Sequence, residues 1–184
     1  GPVIAAIATL LLLAMVGTGL YWRSRSSASP ATGSGDCPFE RCDSSVRLSP
    51  GKIVLAPLLP RVVQLVKALE PAAELGMISI GAMTSNGLPV DGRGSNVVAV
   101  FLYPKGSLSA MVGVERTMIR RGAAMGLQQL PVPACPFAKA LGAAYAAGLS
   151  KAGTVTTTYM RMMPTAPPVW TFMVKGDSKS HHVN

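Results

Sequence analysis

The fold class predicted for residues 51–184 is α+β: an antiparallel sheet covered on one face by about two helices. Three observations carry it. Val97 to Tyr103 is a continuous β-branched and aromatic run, Pro104-Lys105-Gly106-Ser107 turns it, and Leu108 to Val114 returns, which is a hairpin. Helical patterns at Arg61–Glu70 and Phe137–Leu149 each precede such strands. Helix followed by two or three strands therefore occurs twice, which hints at a duplicated α-β-β unit, although no side-by-side repeat accompanies it.

The elements follow in order. Arg61 to Glu70 begins after Pro60 and stops at Pro71, with Val62, Leu65, Val66 and Leu69 at helical spacing. Leu75 to Thr84 alternates loosely as a strand, and Asn86-Gly87 and Asp91-Gly92 are turn signals. After the hairpin, Pro131, Pro133 and Pro136 interrupt the chain. Phe137 to Leu149 is an Ala-rich helix with Leu141, Ala144, Tyr145 and Gly148 on a close-packing face and Gly153 near its end. Thr154–Met163 and Val169–Val174 are strands, and a last one begins near His181.

The apolar excess lies ahead of this domain. The chain is 49% hydrophobic and only 14% charged, where a soluble domain carries about a quarter. Val3 to Leu20 contains no charge, and at about 1.5 Å per residue Val3–Trp22 reaches roughly 30 Å, the thickness of a bilayer's hydrocarbon core. Tyr21 and Trp22 followed by Arg23 and Arg25 give the order of a membrane–water interface. Residues 1–23 are therefore expected to be a single transmembrane anchor in contact with the lipid bilayer. Residues 24–50, rich in Ser, Gly, Pro and Ala, are expected to form an extended linker, ordered only where it lies against other protein.

Little in the chain suggests catalysis. Of the three cysteines, Cys37, Cys42 and Cys135, the candidate disulfide is Cys37–Cys42, with a longer pair as the alternative, and the odd count leaves at least one unpaired. Cys37-Pro38-Phe39 and Cys135-Pro136-Phe137 share a pattern, and a Cys beside a helix-opening Pro suits a thiol oxidoreductase, the weakest of three readings. A zinc site lacks a second close pair, covalent haem lacks C-x-x-C-H, and GRGS lacks the context of a phosphate loop. His181 and His182, adjacent on a strand, point to opposite faces and do not share a metal. No cofactor and no catalytic residue is expected.

The net charge of +9 is spread along the chain, and aromatic residues are 5%, which disfavours nucleic acid. Arg116, Arg120 and Arg121 form the densest basic patch and are expected to face a partner or anionic headgroups. The Arg flank of the apolar run favours a cytoplasmic domain, whereas the paired cysteines favour an oxidising compartment. The extracytoplasmic, periplasmic side is the expectation. The functional expectation is a non-catalytic, single-pass accessory subunit of a membrane complex of photosynthetic, respiratory or transport type. The alternative is a membrane-tethered sensor or ligand-binding domain with a concave pocket.

Overall fold

The computed structural model describes residues 37–49, 53–88 and 97–184, all within the compact unit Cys37–Asn184. The expected anchor at Val3–Trp22, the interface residues Tyr21, Trp22, Arg23 and Arg25, the first part of the linker and the Asp91-Gly92 turn lie outside the described residues. Among the described residues, no helix is long and apolar enough to cross a membrane.

In chain order the elements are β1 (Arg41–Asp43), α1 (Leu55–Leu69), β2 (Glu74–Met83), β3 (Val97–Tyr103), β4 (Gly106–Val112), β5 (Thr117–Gly122), α2 (Phe137–Ala146), β6 (Val155–Met160), β7 (Val169–Val174) and β8 (Ser180–Val183). The strands form one sheet in the order β1-β5-β4-β3-β2-β6-β7-β8, every pairing antiparallel. A helix followed by an antiparallel meander thus occurs twice. The first strand of each meander, β2 and β6, pairs with the other to make one continuous sheet.

Strand alternation decides which face is buried. One row across the sheet reads Ile119, Ala110, Ala99, Ile78, Tyr159 and Trp170, each opposite the next. All six belong to a single buried cluster that also holds the inner faces of both helices, so α1 and α2 cover the same side. Helix α1 contributes Leu55, Leu58, Leu59, Val62 and Val66, a stripe at helical spacing. Two register shifts in β2, at Leu75/Met77 and Ile80/Met83, turn Leu75, Ile78, Ile80 and Met83 all inward, which strict alternation forbids.

Helix α1 starts six residues before the expected Arg61, with Pro60 inside it. Pro60 lies one turn from the start, where its absent N–H leaves only the carbonyl of exposed Ala56 without a helical partner, and water can satisfy that group. Helix α2 ends earlier than expected. Gly148, at φ 99°, is its cap and not part of a packing face: its N–H bonds the Tyr145 carbonyl at 3.1 Å, and the Leu149 N–H bonds that of Ala144 at 2.9 Å.

Residues 37–49, within the expected linker, lie in the compact unit Cys37–Asn184. β1 pairs with β5, and Val46 and Leu48 are buried in the core. The Leu48 N–H reaches the Gly113 carbonyl at 2.8 Å, and the hydroxyl of fully buried Thr117 donates to the Val46 carbonyl at 2.6 Å. Polar composition concealed two inward apolar residues. Thr117→Val keeps the shape but orphans a buried carbonyl, so a loss of about 1 kcal/mol is expected in urea unfolding. No change in the midpoint would show that this bond does not hold the segment.

Candidate functional site

An open cleft of about 780 Å³ lies where the end of the core meets the segment that crosses from β5 to α2. Val63 and Lys67 of α1 form one wall. Leu75 of β2 and Phe101 of β3 line the sheet side, and Gln128 to Val132 form the opposite wall. The crossing segment is fixed to the sheet: the Leu130 N–H bonds the Leu75 carbonyl at 2.6 Å, and the Leu130 side chain is buried in the core. The walls are mainly aliphatic and aromatic carbon, and their polar groups are few.

Those polar groups sit in a definite order. The Lys67 ammonium pairs with the Glu74 carboxylate at 3.1 Å across the cleft rim. Arg161, just past the end of β6, donates from Nη1 to the Gln128 side-chain oxygen at 3.3 Å and to the Pro164 carbonyl at 3.4 Å. Its Nε–H is shielded from solvent and has no hydrogen-bond partner, and Arg161 has no carboxylate partner among the described residues. Burial pushes the nearby Tyr159 phenol above its usual range, and the Arg161 charge partly opposes this. Among the described residues, the Arg161 cation at the cleft therefore lacks a counter-charge.

The residues named from the sequence lie elsewhere. Cys37 and Cys42 form a disulfide with Cα atoms 6.0 Å apart, at the sheet edge that β1 occupies. Cys135 is a half-buried free thiol immediately before the Pro136 cap of α2, and its carbonyl accepts from the Trp170 indole at 3.3 Å. The three arginines do not form one patch. Arg116 is in the β4–β5 turn, and β5 directs Arg120 and Arg121 to opposite faces. Arg121 is held on the helix side by Glu40 at 3.4 Å, Glu70 at 3.8 Å and the Tyr103 hydroxyl at 3.2 Å.

His181 and His182 likewise diverge. His181 lies opposite Phe172 on the helix side, and His182 bonds Thr171 and Ser180 at 3.1 Å each on the other. Among the described residues, no group of three or more His, Cys, Asp or Glu side chains could hold a metal ion.

The sheet's second face mixes Ser and Thr with an apolar group. Val100 and Met111 are buried there, apart from the main cluster, and Met77, Val98, Leu102, Met118 and Met160 are half-buried. Comparison with protein-family models, curated proteins and solved structures finds no match.

Proposed function

We propose that this chain is a non-catalytic, membrane-tethered ligand-binding or sensor domain that takes a small molecule in the cleft between α1 and residues 128–132. The cleft is the observation that carries the reading. Its volume lies in the range of small-molecule sites, its walls are apolar, and a few polar groups converge on it. The tether is the uncharged run Val3–Leu20 with its Tyr-Trp-Arg flank. The Cys37–Cys42 disulfide supports an extracytoplasmic side, where such bonds persist.

Occlusion tests this. Val63→Trp fills the cleft from an already half-exposed helix position. Small apolar and amphipathic compounds that raise the melting temperature of the parent domain should leave this variant unchanged. A rise in the variant's melting temperature equal to the parent's, or no rise in either protein, dismisses the cleft as the site.

A second reading is an accessory subunit of a larger membrane complex. The methionine-rich second face favours it, because Met adapts its shape to a partner surface. A photo-crosslinker at Met118 should then capture one discrete neighbour in native membranes.

A further inference from the structure

We infer that the cleft is selective for an anionic amphiphile, an apolar chain ending in a carboxylate or similar oxyanion, with Arg161 as the residue that reads the charge. This rests on the cleft being the binding site and adds the ligand class. Three observations lead to it.

The first is the charge balance. Lys67 is neutralised by Glu74, whereas among the described residues Arg161 has only neutral acceptors, the Gln128 amide oxygen and the Pro164 carbonyl. The local excess is one positive charge, which one negative charge on a ligand would balance.

The second is the unused donor. A guanidinium presents a planar fork of N–H groups that matches two oxygens of one anion. Arg161 uses Nη1 for the protein, and its Nε–H is shielded and unpartnered. Leaving such a donor unpaired is unfavourable, and a ligand oxyanion seated beside the guanidinium relieves it after a small shift of the surrounding side chains. The bonds to Gln128 and Pro164 meanwhile hold the head of Arg161, so little side-chain freedom is lost on binding.

The third is the apolar path. Val63, Leu75, Phe101 and Leu130 lie along the same cleft and offer apolar contact to a hydrocarbon body. An anionic head with an apolar tail satisfies both ends. A free fatty acid and a single-chain lipid phosphate share this chemistry.

The probes are dodecanoate, dodecyl phosphate, dodecanol and dodecyltrimethylammonium. All are used below their micelle concentrations with the Cys37–Asn184 unit and, separately, with the full chain in detergent-free nanodiscs. Dodecanoate or dodecyl phosphate should bind at least about tenfold more tightly than dodecanol, and the cation should not compete. Whichever anion binds more tightly identifies the source as fatty acid or lipid phosphate. Arg161→Gln should bring the anion down to the level that dodecanol shows with the same variant, and Arg161→Lys should restore only part of the difference.

Equal binding of dodecanoate, dodecyl phosphate and dodecanol, all blocked by Val63→Trp, would overturn the charge selectivity while keeping the cleft. Binding that Val63→Trp does not affect, or no binding at all, would overturn both. The comparison between parent-domain ligands stands even if Arg161→Gln folds poorly.

Discussion

Trp170→Ala should lower stability by about 4 kcal/mol and the melting temperature by roughly 10 °C. The indole is 1% exposed and stands at the centre of an aromatic group, with ring centroids 5.6 Å from Phe137, 5.0 Å from Tyr159 and 6.4 Å from Phe172. It also holds the start of α2, because its Nε1–H reaches the Cys135 carbonyl at 3.3 Å. Alanine removes this packing and leaves a cavity that neighbours anchored in two strands and a helix fill poorly. Urea unfolding checks the value, and a loss below about 1.5 kcal/mol would mean that the cluster collapses around the gap. Trp170→Phe keeps an aromatic ring and should cost less than half as much.

Replacing Cys37 and Cys42 together with serine should cost about 2 kcal/mol, the chain-entropy value for so short a loop. The bridge lies beside Glu40, whose pairing with Arg121 ties the same segment to β5. The parent domain should lose a similar amount when a thiol reductant is added, and the serine variant should lose nothing further. If reductant destabilises both proteins equally, the bridge is not the cause.

Where one local pattern sufficed, the sequence anticipated the fold. The strand Val169–Val174 is found at its expected bounds, and the hairpin returns from Tyr103 through the anticipated Pro104-Lys105 turn. Two strands were not anticipated. β1 is three residues long inside a polar stretch, too short to show a period. β5 was read as a basic patch because Arg120 and Arg121 dominate it, yet Thr117 and Ile119 alternate inward against Met118 and Arg120.

The cleft was not legible in any window of sequence. Arg161 follows one strand, Gln128 belongs to a proline-punctuated connection and Val63 sits on a helix, so only tertiary folding joins them. The cleft lies at the edge of the sheet's helix-covered face, beside the crossing segment. One signal was present: a lone Arg next to a β-branched strand, with no acidic residue in the same stretch, has to find its partner elsewhere.

The β2–β6 pairing has a kinetic consequence. Apart from the short β1–β5 contact, every other pairing joins strands that are neighbours in sequence, whereas Ile78 meets Tyr159 across half the domain. Each meander gains its contacts locally, so closing this seam is the slow, high-contact-order step of folding. At high concentration a half-folded chain meets the same seam on another copy. An exchange of halves there would use residues 123–136 as its hinge, and the swapped dimer would hold the same two seams as two separate chains.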